Sequence, residues 1–475
     1  MSGDGLKFGT SGLRGLATAL AGQAARRYVL AFLEHARRKG ELGDGRVFIG
    51  RDLRPSSPAI AEDCAMAVVA AGLVPVDCGA LPTPALALHA MAEGGAALMV
   101  TGSHIPADRN GLKFYLPSGE ISKADEEGIL ACLDERGVPD RPVRMADASA
   151  EAAARYLARC AGLLPEGQLA GWRIGIFEHS SVARDSLGLV LRAAGAETIG
   201  LGRSGHFVPV DTEAFGDALF APLPGWLDQY GLDAVVSADG DGDRPLLMDG
   251  SGQFVRGDVL GLIAARYLGA DSVVTPVTSN SGLERSGFFA HVIRTRVGSP
   301  HVIAAMAAAP DAVIGFEANG GTLVGRNIRL DGRALPELAT RDAMLPLLCV
   351  LGAAARRGQG IAELVAGLPL QAALADRLQN VPDARSAVFL GRLADDPAYA
   401  EALFAPHGIA ELVRIDGMQF RTGAGEMVHF RASGNAPELR CYVEAATPEA
   451  ARALLDWGLA TAAREMGLPP PGPRA

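Results

Sequence analysis

The chain has 475 residues, of which 49% are hydrophobic and 21% charged, a globular composition that excludes a disordered or fibrous chain. Its 44 basic and 54 acidic residues leave a net charge of −10 with no basic stripe, so nucleic acid is not expected as a partner. Six cysteines without a C-x-x-C spacing argue against a disulfide framework or thiolate zinc site, and no run of 18 apolar residues offers a membrane span, so the expected setting is the reducing cytoplasm.

Short apolar runs alternate with helical stretches along the chain. Residues 46–51 (RVFIGR) predict a buried strand, 56–72 a helix, 74–78 a strand and 84–93 a helix. Residues 96–101 (AALMVT) then predict a strand running into the loop Gly102-Ser103-His104-Ile105-Pro106. The pattern returns with a strand at 172–177, a helix near 181–194 and a strand at 233–238, which ends at Asp239-Gly240-Asp241-Gly242-Asp243-Arg244. A third pass has strands at 272–277 and 291–295, a helix from about 300 to 309, and a strand at 312–316 ending at Glu317-Ala318-Asn319-Gly320-Gly321. Near the end, strands around 411–420, 426–431 and 438–445 are joined by Gly-rich turns. Thr447-Pro448 opens a closing helix with Thr as cap and Pro at the first helical position, and the tail PPPGPRA reads as a frayed end.

At about 100–200 residues per domain, four domains fit this length. The expected divisions are 1–145, 146–252, 253–362 and 363–475, with linkers near 137–150, 250–256 and 355–375. The expected fold is three similar α/β domains with mixed, mostly parallel sheets plus a C-terminal α+β domain, around a central active-site cleft. In open α/β sheets ligands sit outside the carboxyl ends of strands, so the three polar loops are where chemistry is expected.

Asp239, Asp241 and Asp243 are the strongest local signal. In an extended loop, side chains at i, i+2 and i+4 point to one side, and three carboxylates suit a hard cation such as Mg²⁺ or Ca²⁺. An EF-hand would need Gly at its sixth position and Glu at its twelfth, but counting from Asp239 these are Arg244 and Gly250. The adjacent Ser103 and His104 lack the G-x-S-x-G elbow of a Ser-His-Asp hydrolase. A nucleophilic Ser103 would suit phosphate, whose transfer needs electrostatic help more than covalent machinery, although taken alone the segment is an ordinary polar turn. Lys113 stands between apolar residues in a chain with four lysines and 40 arginines, which marks it as a candidate acid or base against the default of a snorkelling surface lysine. Arg431-Ala432-Ser433-Gly434-Asn435 offers a guanidinium, a hydroxyl, an amide and loop N–H groups, a composition suited to an anion. The G-x-G-x-x-G match at Gly200–Gly205 is followed by Pro209 where a helix should begin, no lysine follows a glycine as a Walker A loop requires, and the nine histidines show no metal spacing.

Together these loops make the chain resemble the α-D-phosphohexomutases, the family of phosphomannomutases and phosphoglucomutases. Phe8-Gly9-Thr10-Ser11-Gly12-Leu13-Arg14-Gly15 is similar to the family's opening F-G-T-S-G-x-R-G, and Gly50-Arg51-Asp52-Leu53-Arg54-Pro55-Ser56 to its G-R-D-x-R-x-S segment. Thr101 to Pro106 resembles the phosphoserine loop T-x-S-H-N-P, and Asp239 to Arg244 the metal loop D-G-D-x-D-R. The matches occur in family order from residue 8 to about residue 440.

The resemblance implies an isomerase-class intramolecular phosphotransferase interconverting mannose 6-phosphate and mannose 1-phosphate, with Mg²⁺ as cofactor and hexose 1,6-bisphosphate as activator. It implies Ser103 as the phosphorylated nucleophile, and Asp239, Asp241 and Asp243 as metal ligands together with the phosphate on Ser103. Arg14, Lys113 and Arg244 would surround the transferring phosphoryl, Glu317, Asn319 and Gly320 would form the sugar loop, and Arg431, Ser433, Gly434 and Asn435 would clamp the distal phosphate. Two segments depart from the family pattern. The sugar loop G-E-x-S-G-H reads Phe316-Glu317-Ala318-Asn319-Gly320-Gly321 here, so acid/base duty falls to Lys113 or His104, and the clamp R-x-S-G-T-E-P reads R-A-S-G-N-A-P. The expected partners are small sugar phosphates, and the expected state is a monomer or homodimer. The alternatives are glucose or glucosamine phosphate specificity, a phosphatase, and a sugar-phosphate-binding protein without turnover.

Overall fold

The computed structural model describes residues 5–9, 12–135, 137–216, 218–434 and 437–469. Thr10 and Ser11 of the opening segment, Asn435 of the expected clamp and the tail from residue 470 lie outside the described residues. The chain forms two compact units. One runs up to Val274 and adds Phe289–Ile293 and Gly298–Gly367; the other consists of Thr275–Phe288, Arg294–Val297 and the chain from Leu368 on.

The first unit is a mixed α/β assembly. Its first sheet runs Lys7–Phe8, Leu13–Leu16, Arg109–Leu116, Ala96–Val100, Arg46–Arg51, Val74–Ala80, Ala146–Asp147, with Gly119–Glu120 pairing beside Arg109–Leu116. Arg46–Arg51 pairs in parallel with both Val74–Ala80 and Ala96–Val100, whereas Arg109–Leu116 returns antiparallel beside Ala96–Val100. Ala96–Val100 is buried throughout, which is why it reads as a continuous apolar run. Helices Gln23–Lys39 and Ser57–Ala70 cover this sheet; Tyr28, Val29, Phe32, Leu33 and Ala36 recur at helical spacing and fill its core, with the Phe32 ring 5.0 Å from that of Phe114.

The second sheet has the order Glu197–Leu201, Arg173–Phe177, Ala234–Ala238, Pro245–Asp249, the first three parallel and the last antiparallel. The third runs His291–Thr295, Ser272–Pro276, Val313–Phe316, Thr322–Val324, Leu338–Asp342, with a parallel pair at Ser272–Pro276 and Val313–Phe316 and antiparallel strands beyond it. The helices expected at 56–72, 84–93, 181–194 and 300–309 are Ser57–Ala70, Thr83–Ala92, Arg184–Ala193 and Ser299–Ala308. The expected linker at 355–375 is not extended chain: it takes in the end of helix Met344–Arg357, all of helix Ile361–Ala366 and the start of strand Ala372–Gln379.

The second unit carries a five-stranded antiparallel sheet in the order Ala372–Gln379, Glu438–Ala445, Met427–Ala432, Met418–Arg421, Glu411–Val413. Met418 and Phe420, Val428 and Phe430, and Leu439, Cys441 and Val443 alternate onto one face and pack against helices Asp383–Asp395 and Pro448–Glu465. His429, Arg431 and Gln419 therefore point to the other face. Thr447 caps the closing helix by accepting the Ala450 N–H, with Pro448 at its first position. The strand expected at 411–420 is two strands, because Gly417 sits at φ +82° and a Cβ there would stand 2.3 Å from the Phe430 carbonyl oxygen.

Candidate active site

The expected functional loops share one construction: each follows a strand and leads into an antiparallel neighbour. The Ser103 loop links Ala96–Val100 to Arg109–Leu116, the aspartate loop links Ala234–Ala238 to Pro245–Asp249, and the Glu317 loop links Val313–Phe316 to Thr322–Val324. A hairpin holds both ends of its loop on rigid strands, so short polar side chains are aimed with little freedom.

Ser103 is buried and sits at φ +53°, a left-handed conformation uncommon outside glycine. Its Oγ donates to Asp239 Oδ2 at 2.5 Å and lies 3.3 Å from His104 Nδ1. Asp239 Oδ1 accepts the backbone N–H groups of Asp243 and Arg244 at 3.1 and 3.2 Å, which curls the loop around its own first carboxylate. Asp241 Oδ2 accepts from Thr83 Oγ1 and Lys113 Nζ, both at 2.6 Å. Asp243 Oδ2 accepts from Lys113 Nζ at 2.5 Å and from Arg341 Nη2 at 2.6 Å. Arg341 Nη1 reaches Glu317 Oε2 at 2.7 Å, so one guanidinium joins the aspartate loop to the Glu317 loop.

Burial, followed by the charges of Asp241 and Asp243, pushes the Asp239 carboxyl well above the carboxylate range. Burial opposes ionisation of Asp243 too, but Arg341, Lys113 and Arg244 overcome it and hold that carboxyl low. Lys113 is likewise desolvated, and Asp241 and Asp243 nevertheless raise it above its ordinary value, so it rests as an ammonium. Burial, then Arg244 and Arg341, lowers Arg14 to about 10. The charge of Arg244, then burial and Arg14, pushes His104 down to about 2, so it rests as a neutral imidazole. The centre thus holds more cationic charge than its aspartates alone balance, as a site for a phosphorylated group requires.

One oxygen from each of Asp239, Asp241 and Asp243 falls within 4.8 Å of the others. Asp241 Oδ1 and Asp243 Oδ1 are buried without a hydrogen-bond partner among the described residues. Three oxygen donors, two of them with an unused buried oxygen, fit a hard divalent cation.

The structure therefore brings Ser103, His104, Lys113, Asp239, Asp241, Asp243 and, through Arg341, Glu317 into one hydrogen-bonded cluster, with Arg14 and Arg244 close enough to shift its titration. Asn319 spends its side-chain oxygen on the Gly321 N–H inside its own loop, and the Gly320 N–H donates to the Glu317 carbonyl. Arg341 and Thr83 were not expected; neither lies in a motif, and their partners are 98 and 158 residues away. In the second unit, Arg431 Nε is paired with Asp416 Oδ2 at 2.8 Å, and the same oxygen accepts the Val297 N–H at 3.0 Å. Ser433 N–H donates to the Glu438 carbonyl, and Gly434 is exposed. Asp416 is a further residue that sequence reading missed.

Buried carboxylates, a serine hydroxyl and a ring of fixed cations on mixed α/β sheets define a phosphoryl-transfer enzyme. The chain belongs to the phosphoglucomutase/phosphomannomutase family: the family's alpha/beta/alpha domain I matches residues 5–138 and its alpha/beta/alpha domain III residues 256–371. A phosphomannomutase of Sinorhizobium fredii (strain NBRC 101917 / NGR234) is 48% identical over 467 residues, covering 96% of this chain and 98% of the relative. A phosphomannomutase of Salmonella muenchen is 40% identical over 469 residues, 98% and 97% of the two chains, and a phosphoglucosamine mutase of Paracoccus denitrificans (strain Pd 1222) is 30% identical over 92% and 94%. In fold, the chain is similar to a crystal structure of a phosphoglucomutase/phosphomannomutase family protein from Burkholderia thailandensis, with a TM-score of 0.77 at 22% identity over 96% and 97% of the two chains. No helix among the described residues is long and apolar enough to cross a membrane.

Proposed function

We propose that the chain is a Mg²⁺-dependent phosphomannomutase that interconverts mannose 6-phosphate and mannose 1-phosphate through a phosphorylated Ser103 and a hexose 1,6-bisphosphate. The observation that carries the reaction class is the Ser103 hydroxyl on Asp239, at the head of a carboxylate triad that also engages Lys113. The sugar follows from the relatives: those named phosphomannomutase stand at 48% and 40% identity, against 30% for the phosphoglucosamine mutase.

Asp239, Asp241 and Asp243, with the phosphate on Ser103, would hold Mg²⁺, which when bound supplies neutralisation of the developing phosphoryl charge. Arg14 and Arg244 bind the non-bridging oxygens, and the buried hairpins orient Ser103 for in-line transfer. As the sugar hydroxyl bonds to phosphorus and the Ser103 Oγ–P bond breaks, the hydroxyl proton needs a holder. His104, a neutral imidazole beside Ser103 Oγ, is placed to accept it, whereas Lys113, held as an ammonium by Asp241 and Asp243, can serve only as an acid. Glu317, Asn319 and Gly320 read the sugar hydroxyls, and Arg431, Ser433, Gly434 and Asn435 grip the phosphate that is not being transferred. A four-domain division at 1–145, 146–252, 253–362 and 363–475 accommodates one main sheet in each part, with the two-stranded ribbon Arg329–Leu330/Arg333–Ala334 also in the third and the short strand Ala146–Asp147 crossing the first boundary. We place the enzyme in the cytoplasm as a monomer or homodimer.

Phosphorus NMR tests this reading. The protein with Mg²⁺ and a trace of hexose 1,6-bisphosphate is given mannose 1-phosphate, glucose 1-phosphate or glucosamine 1-phosphate in parallel. Conversion to the 6-phosphate, fastest for mannose, is the expected result. Faster conversion of glucose or glucosamine phosphate would reassign the sugar, and inorganic phosphate alone would make the enzyme a phosphatase.

A further inference from the structure

None of the hydrogen bonds to Asp239, Asp241 or Asp243 among the described residues comes from the G-R-D-x-R segment, yet Arg54 is among the largest fully buried side chains. All five of its N–H groups are engaged. Nε donates to Asp52 Oδ2 at 3.1 Å, Nη1 to the carbonyls of Pro106 and Arg109 at 2.6 and 2.9 Å, and Nη2 to those of Ser103 and Ile105 at 2.9 and 2.6 Å. Four carbonyls between Ser103 and Arg109, three in the loop and one at the start of the following strand, therefore converge on one rigid guanidinium, a geometry that the point charge of a lysine cannot reproduce. Gly102 lies flat against the same group, since a Cβ there would stand 2.7 Å from Arg54 Cζ.

The guanidinium is also tied to the metal loop. Arg54 Cζ lies 4.1 Å from the centre of the Phe207 ring. Phe207 in turn abuts the aspartate loop: a Cβ on Gly240 would stand 3.1 Å from Phe207 Cε2 and 3.1 Å from the Ser103 carbonyl oxygen. Arg54 thus grips the Ser103 carbonyl from one side while its ring partner spaces the aspartate loop from the other. Ser103 holds its left-handed backbone inside this grip.

We propose that Arg54 and Phe207 form a positioning pair that sets the Ser103 hydroxyl against the Asp239 loop, fixing the distance over which the phosphoryl group is delivered. Neither residue touches the reacting atoms; both act through the backbone of the loops that carry them. The kinetic consequence rests on the mutase reading above, whereas the structural consequence does not.

The test uses the full-length protein and two readouts. In Arg54→Lys, kcat with the hexose 1-phosphate that the wild type turns over best should fall about 100-fold, with KM changed less than about threefold, because misplacement by about an ångström has that cost. Hydrogen exchange of the peptide spanning residues 101–109 should accelerate at least about tenfold, while peptides of the second unit stay at the wild-type rate. Phe207→Leu keeps apolar bulk but loses the ring face, and should lower kcat about fivefold, with Phe207→Tyr restoring it. If Arg54→Lys does not fold, the Phe207 pair decides by the same two readouts. Wild-type kcat in the folded variants, a loss confined to KM, or unchanged exchange of the loop each overturns the pair. If the wild type converts no hexose phosphate, the mutase reading fails and the exchange readout alone decides the positioning.

Discussion

The two regions proposed to handle phosphate are built on opposite plans. Around Ser103 the hydrogen-bonded charges are buried and shared: Asp243 serves Lys113 and Arg341, Arg341 serves Asp243 and Glu317, and Lys113 serves Asp241 and Asp243. Arg431 itself pairs with Asp416, close to a turn whose Gly434 is exposed. A buried network fixes geometry because removing any member strands the others without solvent, whereas a single ion pair with some solvent access can exchange its partner at lower cost. Transferring a phosphoryl group demands the first property, and gripping one that must be released demands the second.

The largest test of this contrast removes the nucleophile. Ser103→Ala should lower kcat by at least about 10⁴-fold and abolish the protein's covalent phosphate in intact-mass spectra, since loss of a group that forms the intermediate removes the whole pathway. Turnover within tenfold of wild type would end its assignment. Next in size is a pH effect on stability in the second region. Burial pushes the fully buried His429 down to about 4, while its Nε2 bonds the Asp416 carbonyl. The unfolded chain binds this proton and the folded chain does not, so stability is whole above about pH 6.5 and falls as pH drops toward 4, by about 3 kcal/mol for a shift of that size. Melting temperature followed from pH 7 to 4.5 should show the decline, and His429→Gln, which can still donate to the carbonyl, should flatten it.

Much of this was readable from sequence because the loops are compact strings. The carboxylates of Asp239, Asp241 and Asp243 lie two residues apart and follow a strand buried from end to end, and Ser103 follows another. What escaped was whatever closes a circuit across the fold. Arg341 meets Asp243 and Glu317 only because the strand Leu338–Asp342 is laid beside Thr322–Val324, and no local spacing encodes that neighbour. The return strands Pro245–Asp249 and Thr322–Val324 were missed for a different reason: both are short and buried on both faces, so they show no alternation. Asp416 was hidden inside an expected strand that Gly417 in fact breaks.

Arg341 gives a smaller kinetic effect than Ser103. Its replacement by glutamine leaves Glu317 and part of Asp243 without a cation in a dry site, and should reduce kcat/KM about 100-fold. Arg341→Lys should recover only a minor part, because one ammonium nitrogen cannot replace the separate Nε and Nη2 donors to Asp243 and the Nη1 donor to Glu317 at their fixed spacing. Full recovery by lysine would mean that only the charge counts and that the two loops are not held in register by the guanidinium.

The smallest effect belongs to the open clamp, and its form matters more than its size. If Arg431 grips the phosphate that is not reacting, the contact is equally strong in the ground and transition states, so its loss weakens binding without slowing chemistry. Arg431→Ala should therefore raise KM for the hexose 1-phosphate about tenfold and leave kcat within about twofold, as expected for one charge-assisted contact. Asp416→Asn separates the two jobs of the ion pair. The amide still accepts hydrogen bonds from Arg431 Nε and the Val297 N–H but no longer competes as an anion, so KM should fall or hold steady. A rise in KM as large as that of Arg431→Ala would show that the aspartate orients the arginine more than it competes for it. The clamp would then be preorganised like the first region rather than exchangeable.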